Sequence, residues 1–578
     1  MQETVALWNV ALLLVSVSLP SRGFSRQNII VIMADDMGWN DVSFHGSDQI
    51  PTPNIDALAY NGIILNRHYT LPTCTPSRAA FFTGKYPIRT GMQGRPLMIG
   101  EPRGLPLEET LLPQKLSDLG YVTRLIGKWH LGSHRSEYTP QRRGFDSFFG
   151  YWNGFVGYFD YKIGDPLGYD LHRDLNISWE ENGQYATDVF TREAVQLITL
   201  HDTNQPLFLM LSHLAVHCGR EKPLEVPNPA ESTERFSYIS DVNRRMYAAM
   251  ITKVDDSVGE IVLALQRKGI LNNTVILFLS DNGAQTVGEF QNWGSNWPFR
   301  GVKFTTFEGG VRGVAAIWSP SIRNPGSVAQ QLIHITDWYP TLYSIAGGNV
   351  SSLGKIDGVD QWPSLLDNTV VKPRNETLIN VAQADVMEAI IEGKWKLVKS
   401  TTKSGEYDGL YGEDGRGSPS PLYNTTGVTD SLVSKAITSL RLNSLEETTI
   451  LQLRKRATIN CDVQRGDVQD SYCPSYCLFD LDNDPCESED LAARYPDRVK
   501  NLRSKLEYYR KESAPELNRP ADPNSNPSLF NNTWVCWRDD KYVRIDSSDL
   551  SSKSDYKFLS LHTFLSQILF LCVFYSLV

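Results

Sequence analysis

Two short stretches, NIIVIMADD (28–36) and TVILFLSDNG (274–283), decide the fold. Each is a continuous apolar run of strand length, which is typical of a strand buried on both faces of a sheet. The first run ends in Asp35 and Asp36, and the second ends in Asp281 and Asn282. Because ligands bind beyond the carboxyl ends of parallel strands, these four residues predict a site at that edge of the sheet.

Helical segments alternate with the apolar runs. Thr52 and Pro53 provide an N-cap and a first-turn proline for a helix that Gly62 ends. Further helices are predicted within 108–120 and 244–269, and further strands within 63–69, 121–127 and 206–217. The alternation predicts an α/β domain whose large mixed, mostly parallel sheet is flanked by helices.

The pattern changes after about Ile391. EGKWKLVKS (392–400) predicts an edge strand, residues 404–420 predict a loop, and the segment from Tyr476 predicts a strand, a turn and a helix. We therefore predict a large domain over 26–385 and a smaller α+β domain with an antiparallel sheet over 386–545.

Both ends of the chain indicate the secretory pathway. Residues 1–25 have the apolar run and small residues of a signal peptide. Residues 546–578 comprise small residues, a polar spacer and an apolar tail, which is typical of a glycolipid (GPI) anchor signal with its acceptor near Ser547 or Ser548. A tail-inserted membrane helix and a buried terminal helix are the alternatives. Six sequons predict N-glycosylation at Asn176, Asn272, Asn349, Asn375, Asn424 and Asn531. We expect a lysosomal or extracellular, cell-surface location.

Composition narrows the function further. The chain has 578 residues and a net charge of −10, so a large basic face for nucleic acid is not expected. Six of its eight cysteines could form three disulfides in an oxidising compartment: Cys218, Cys461, Cys473, Cys477, Cys486 and Cys536. Cys477 and Cys486 bracket a turn-rich stretch and are the preferred pair. Cys473 and Cys477 have the spacing of metal ligands, but no matching second pair follows them.

The four polar residues at the strand ends are all oxygen ligands. Such a set suits Ca²⁺ or Mg²⁺ better than zinc. Alone, ADD is equally typical of an acidic helix N-terminus and SDNG of a turn, but two such clusters at two strand ends favour a metal. Asp41, Asp56 and Asp337 are interpreted as exposed-loop or capping acids.

Five cationic candidates accompany these oxygens. They are Arg78, Lys128, His130, His217 and Lys303. Each alone is more often a surface charge or a core histidine. Gathered around a metal, they would form an anion pocket able to stabilise a transferring sulfuryl or phosphoryl group.

Several longer motifs resemble those of the sulfatase family. They are CTPSRAAFFTGKYPIRTG (74–91), MADDMGWNDVSFHG (33–46), GKWHLG (127–132), RRGFDSFFGY (142–151), SDNGAQT (280–286), NWPFRGVKFTTFEGGVRG (296–313) and HITDWYPTL (334–342). The resemblance is dense over residues 27–345 and loose beyond them. It implies an alkaline-phosphatase-like fold and an arylsulfatase-type hydrolase of sulfate esters, such as N-acetylgalactosamine-4-sulfate or related sulfated glycans.

The resemblance also implies that Cys74 is a precursor. The formylglycine-generating enzyme would oxidise it to formylglycine in the endoplasmic reticulum, reading Pro76 and Arg78 as part of its signal. The hydrated aldehyde carries two hydroxyls on one carbon. One attacks sulfur, and the other then expels sulfate as the aldehyde re-forms, which divides one hard step into two.

Individual roles follow from the same resemblance. Ca²⁺ would be bound by Asp35, Asp36, Asp281, Asn282 and modified Cys74. Arg78 and Lys128 would hold the nucleophile and the sulfate, and His130 would remove a proton from the hydrate. His217 and Lys303 would contact the sulfate, and one of them would protonate the leaving oxygen.

Two departures and three alternatives remain at this stage. VHCGREKPLEVP (216–227) replaces the family's His-x-Pro with an apparent insertion, and GRPLMIGEPRGLP (94–106) lacks a cysteine pair found in related arylsulfatases. The alternatives are a sulfatase of small sulfated metabolites, a phosphatase or phosphodiesterase of the same superfamily, and a non-catalytic cell-surface binding protein. Cys74 argues against the phosphatase, which would carry Ser or Thr there.

Overall fold

The computed structural model describes residues 26–220, 222–367, 369–381, 387–399, 402–440, 445–461, 473 and 475–540. The predicted signal peptide (1–25) and anchor segment (546–578) lie outside the described residues. Within the described ranges, no helix combines the length and the apolar character needed to cross a membrane.

The chain alternates between strands and helices over most of its length. The strands are β1 (Asn28–Ala34), β2 (Ile63–Leu65), β3 (His68–Tyr69), β4 (Val122–Lys128), β5 (Ser147–Tyr151), β6 (Lys162–Ile163), β7 (Gly168–Tyr169), β8 (His172–Arg173), β9 (Asn176–Ile177), β10 (Leu207–Ser212), β11 (Thr274–Ser280), β12 (Ala315–Trp318), β13 (Ser327–Ala329), β14 (Ile333–His334), β15 (Glu376–Val381), β16 (Glu388–Glu392), β17 (Trp395–Lys399) and β18 (Cys477–Asp480). The helices are α1 (Pro53–Asn61), α2 (Cys74–Thr83), α3 (Leu112–Asp118), α4 (Ala186–Leu200), α5 (Pro229–Arg235), α6 (Val242–Lys268), α7 (Glu308–Val311), α8 (Trp338–Ile345), α9 (Trp362–Leu366), α10 (Thr425–Thr429), α11 (Leu432–Thr438), α12 (Glu447–Ala457) and α13 (Pro496–Lys511).

A mixed sheet organises the larger part of the molecule. Among the described residues it has ten strands in the order β13-β2-β12-β11-β1-β10-β4-β5-β8-β9. The central strands β11, β1, β10, β4 and β5 are all parallel, so their carboxyl ends meet at one edge. The predicted large, mostly parallel sheet is confirmed.

Both faces of this sheet are buried, as the apolar runs predict. Ile30 and Ile32 of β1 lie in one core, against α4 and α6, whereas Ile29 and Val31 lie in a second core, against α2 and α8. Asp241 caps the long helix α6 by accepting from two backbone amides, and Gly269 ends that helix in a left-handed conformation. The central strands are therefore held rigidly from both sides.

A separate antiparallel sheet of order β15-β16-β17-β18 lies towards the C-terminus, with α13 packed on it. The predicted edge strand is β17, and that prediction of an edge position is wrong. β18, which comes much later in the chain, pairs with β17 and encloses it. The first strand, β15, lies upstream of residue 386, where the domain boundary was predicted.

The disulfide prediction is also wrong. Cys477 is bonded to Cys473, and Cys486 is bonded to Cys461. Cys477 opens β18 and lies with Cys473 in the core of the small sheet, whereas Cys486 follows the turn after β18 and packs beside Trp39. The strand and its turn thus carry the two predicted partners into different cores.

Three acids that the sequence placed on exposed loops or caps are buried. Asp41 lies 2.7 Å from Nη1 of Arg244, and Asp337 accepts two bonds from Nε of Arg374 at 3.0 and 3.1 Å. Asp56 accepts from two hydroxyl groups at 2.9 Å. These acids are structural, because each satisfies buried donors. Asp41 and Asp337 also accept from the backbone amides of Gly38 and His334 at the starts of short helices, so the capping alternative holds for these two acids.

Candidate active site

Asp35, Asp36 and Asp281 form a buried acidic cluster at the carboxyl edge of the large sheet. β1 and β11 pair with Ala34 opposite Ser280, so the residues that follow the two strands emerge side by side. One oxygen atom of each of the three carboxylates lies within 4.8 Å of the others. Asp36 has a left-handed backbone (φ 58°), and its amide donates to Oδ1 of Asp281 at 3.2 Å. This uncommon conformation at a strand end turns the two acids together.

Asn282 extends the cluster and leaves two oxygens unsatisfied. Its Nδ2 donates to Oδ1 of Asp36 at 2.6 Å. Oδ1 of Asn282 and Oδ1 of Asp35 are buried and accept no hydrogen bond from the described part of the chain. Since a buried acceptor without a partner costs about 1–3 kcal/mol, a hard cation would satisfy both atoms. The residues present therefore fit Ca²⁺ or Mg²⁺, which Asp35, Asp36, Asp281 and Asn282 would hold.

Two buried lysines face the acidic cluster. Nζ of Lys128, at the end of β4, lies 2.6 Å from Oδ2 of Asp35. Nζ of Lys303 lies 2.7 Å from both oxygens of Asp36. The amide of Lys303 donates to the carbonyl of Ala284 at 3.1 Å, which ties its loop to the turn after β11.

Arg78 enters the site from α2, one helical turn after Cys74. Its Nε and Nη2 donate to Oδ2 of Asp281 at 3.1 and 2.8 Å. Its Nη1 donates to the hydroxyl of Ser212, which ends β10. Ser212 was missed at the sequence level, although a polar residue at the end of a buried strand is the signal that identified the acids.

The charges of the site balance without a metal ion. Three carboxylates face the cations Lys128, Lys303 and Arg78, so a divalent cation would leave the site with a net charge of +2 and able to attract an anion. Burial and the charge of Asp35 raise the pKa of Asp281 to about 6, against the opposing effect of Arg78. Burial also acts to raise the pKa of Asp36, but Lys303 holds it at about 2. The repulsion between Asp281 and Asp35 thus acts beside the oxygen of Asp35 that accepts no hydrogen bond from the described residues.

Cys74 is the first residue of α2 and points at His130. Its Sγ lies 3.3 Å from Nδ1 of His130, and Cys74 is 3% exposed. Nε2 of His130 hydrogen-bonds the carbonyl of Leu97 at 2.8 Å, which assigns the proton to Nε2 and leaves the lone pair on Nδ1 towards residue 74. Burial and the charge of Lys128 place the pKa of His130 well below its ordinary value. His130 is therefore a neutral base aimed at residue 74.

His217 also lies at the acidic cluster. Its Nε2 is 3.5 Å from Oδ2 of Asp36, and its Nδ1 donates to the carbonyl of Cys218 at 2.8 Å. Burial lowers the pKa of His217 to about 3. Cys218, one of the six cysteines considered for disulfides, carries a free, buried thiol. His217 therefore lies at the acidic cluster even though the residues that follow it depart from the family's His-x-Pro.

Asn292 also escaped the sequence prediction. Its Nδ2 donates to the carbonyl of Asp36 at 2.9 Å and to that of Val216 at 3.1 Å. It thereby ties the loop after β11 to the turns that follow β1 and β10. No local sequence signal marks it, because both of its partners are remote in the chain.

The structure places every predicted metal ligand and every predicted cation at this one edge. The six sequon asparagines lie elsewhere and are all exposed: Asn176, Asn272, Asn349, Asn375, Asn424 and Asn531. Glycosylation requires an exposed asparagine, and all six meet this requirement. Their glycosylation stays a prediction.

Comparison with known proteins gives a consistent result. A family model described as Sulfatase matches residues 27–348. The chain is 37% identical to mouse (Mus musculus) arylsulfatase J over 528 residues, which cover 89% of this chain and 81% of that protein. It is 34% identical to human (Homo sapiens) N-acetylgalactosamine-6-sulfatase over 379 residues, 61% of this chain and 69% of the relative.

A solved structure, the crystal structure of Ps i-CgsB, matches with a TM-score of 0.64 and 25% sequence identity. The match covers 85% of this chain and 94% of that chain. The likeness confirms the fold that the motifs implied.

Proposed function

Because this chain belongs to the sulfatase family and is a sulfuric ester hydrolase, we propose that it removes sulfate from glycans, using formylglycine made from Cys74 and a bound Ca²⁺. Relatives named N-acetylgalactosamine-6-sulfatase support a sugar sulfate as the substrate. The motifs of the sequence favour the related 4-sulfate.

One observation carries this proposal. Residue 74 starts helix α2, its side chain lies 3.3 Å from Nδ1 of a neutral His130, and the acidic cluster lies beside both. A thiol in this position is a poor nucleophile, because burial raises the pKa of Cys74. The hydrate of formylglycine would supply two hydroxyls on one carbon, and the helix N-terminus favours negative charge at that position.

The surrounding side chains have separable tasks. Nδ1 of His130 would accept a proton from residue 74. Arg78 and Lys128, fixed by Asp281 and Asp35, would orient the sulfate. When bound, Ca²⁺ would supply fixed positive charge against the charge that develops on the sulfate oxygens.

His217 and Lys303 both lie against Asp36. Lys303 can give a proton to the leaving oxygen directly, whereas neutral His217, with its proton on Nδ1, would first have to gain one at Nε2. Comparing the pH profiles of His217→Ala and Lys303→Ala separates them, because the donor must be protonated and its loss therefore removes the basic limb of the kcat profile.

The experiment compares wild type with Cys74→Ala on 4-nitrocatechol sulfate and on N-acetylgalactosamine 4- and 6-sulfates. Both proteins are expressed in cells that contain the formylglycine-generating enzyme. We expect hydrolysis by wild type and none by the variant, with matched circular dichroism spectra as the control for folding. Activity that survives the substitution would refute the proposed nucleophile.

We propose that the protein reaches its substrate through the secretory pathway. The exposed sequons and the leader-like residues 1–25 support this route, and the proposed modification of Cys74 in the endoplasmic reticulum would require it. A lipid anchor attached near Ser547 is tested by phosphatidylinositol-specific phospholipase C, which would release enzyme from intact cells. Enzyme recovered in lysosomes and unaffected by the lipase would contradict the anchor.

A further inference from the structure

Two aromatic side chains, Phe155 and Phe290, stand at the rim of the active site. The ring of Phe155 stacks on His217 with centroids 4.9 Å apart and planes at 22°. The ring of Phe290 lies 5.7 Å from Phe155 and 6.4 Å from His217. Both phenylalanines are half-buried, whereas His217 is 4% exposed. The rings therefore lie between His217 and solvent.

Phe155 is fixed by the segment that follows β5. Asn153 is held by Asp170, which accepts from its amide at 2.9 Å and from its Nδ2 at 2.8 Å. The next residue, Gly154, passes so close to His130 that an added Cβ would lie 2.9 Å from Cε1 of that ring. The chain thus delivers Phe155 to a position where it contacts one catalytic histidine, while its neighbour contacts the other.

Phe290 is placed by the loop that follows β11. Its backbone is left-handed (φ 62°), which is uncommon for a bulky residue. The loop is tied down on either side, by the amide of Glu289 donating to the hydroxyl of Tyr407 at 3.0 Å and by Asn292 donating to the carbonyl of Asp36 at 2.9 Å. A conformation held against its intrinsic preference beside an active site motivates a functional explanation.

The two ends of the site have opposite chemistry. The inner end is built from buried charges that suit the sulfate group, and the rim presents phenyl rings. Half-buried aromatic rings at a charged site are suited to stack on a flat, uncharged ring. We propose that Phe155 and Phe290 form an aromatic platform that binds the leaving group of the ester through a ring face, either the C–H face of a pyranose or the face of an aryl group.

This inference rests on the proposed function and specifies the part of the substrate beyond the sulfate. Because the rings lie over His217 rather than over the acidic cluster, they would add affinity for the alcohol portion and none for free sulfate. The platform should therefore change KM for ring-containing esters more than it changes kcat.

The test uses Phe155→Ala, Phe290→Ala and the conservative Phe155→Trp in the full-length enzyme. The substrates are 4-nitrocatechol sulfate, N-acetylgalactosamine 4-sulfate, and a short alkyl sulfate without a ring. We expect each alanine variant to lower kcat/KM for ring esters by roughly 2- to 12-fold, mainly through KM. Hydrolysis of the alkyl ester and inhibition by inorganic sulfate should not change. Phe155→Trp, which keeps an aromatic ring, should have a KM for ring esters near that of the wild type.

Phe159→Ala is the matched control. Phe159 is a half-buried aromatic on the same segment, but its ring packs on Tyr185 with centroids 5.3 Å apart. Phe159→Ala should leave kcat and KM unchanged for all three substrates. An effect confined to the sugar ester identifies a pyranose as the occupant, and one confined to the aryl ester identifies an aryl group.

The remaining outcomes overturn the platform. An equal loss of kcat on all three substrates would show that the rings only position His217. If the alanine variants are active and their KM for ring esters is unchanged, the proposed platform is refuted and the proposed function stands. A wild-type enzyme that hydrolyses no sulfate ester would instead refute the proposed function.

Discussion

Replacement of Lys396 by methionine tests how the smaller sheet supports the active site. Lys396 lies inside β17, is fully buried, and places Nζ 2.8 Å from Glu308 and 2.9 Å from Glu487. Glu308 begins α7, directly after the loop that carries Lys303. Methionine preserves the approximate length and volume of the side chain while removing the charge. Glu308 would keep its ion pair with Arg312, whereas Glu487 would lose its ion pair with Lys396.

The structure sets the size and the pH dependence of the effect. Removing one member of a buried charge cluster costs about 3–5 kcal/mol, because the remaining charges are left uncompensated. Burial already raises the pKa of Glu487 to about 7, with Lys396 opposing that rise. Without Lys396 this pKa rises further, so Glu487 keeps a proton in the folded variant at a pH where the unfolded chain has lost it. The variant should therefore lose more stability near about pH 8 than near about pH 5.

Urea unfolding followed by tryptophan fluorescence measures the effect, with activity recorded in the same samples. Lys399→Met, on the same strand but only half-buried, is the matched control and should cost at most about 0.5 kcal/mol. We also expect a lower kcat in Lys396→Met, because the loop of Lys303 loses its anchor. A loss equal to that of the control, or a loss independent of pH, would refute this reasoning.

Three further predictions concern the site and the surface. Arg78→Lys should lower kcat/KM roughly 10- to 100-fold, since lysine cannot reproduce the paired bonds of Nε and Nη2 to Asp281; unchanged steady-state kinetics would contradict this. Asp281→Asn should reduce bound calcium, measured by plasma mass spectrometry after dialysis, and added calcium should partly restore activity; full metal content in the variant would count against the proposed ligand set. Asn272→Gln should increase electrophoretic mobility by one glycan, and an unshifted band would show that this exposed sequon is unused.

The central sheet and the candidate site were largely accessible from the sequence. β1 and β11 are continuous apolar runs, because a strand that is buried on both faces needs apolar side chains at consecutive positions. Since parallel strands end at one edge, Asp35 and Asp281 could be placed together before their register was known. Short-range signals were similarly reliable, as Pro53 and Gly62 show for α1.

Features that depend on remote pairing were not accessible. β17 has the sequence of an edge strand, but β18, which is remote in sequence, pairs with it. Cys486 is close to Cys477 in sequence, but the two cysteines lie in different cores. The acids Asp41 and Asp337 are buried in pairs with Arg244 and Arg374, which are remote from them in sequence. The rim residues Phe155 and Phe290 carry no motif, because their role follows from the packing of two loops against His217.

The proposed hydrolysis depends most directly on the chemical state of residue 74. Tandem mass spectrometry of the tryptic peptide that contains it, from enzyme purified from secretory cells, reads that state without an activity assay. The account predicts an aldehyde, trapped by a hydrazine reagent, in place of the thiol. A peptide that carries only unmodified cysteine, in an enzyme that still cleaves sulfate esters, would contradict it.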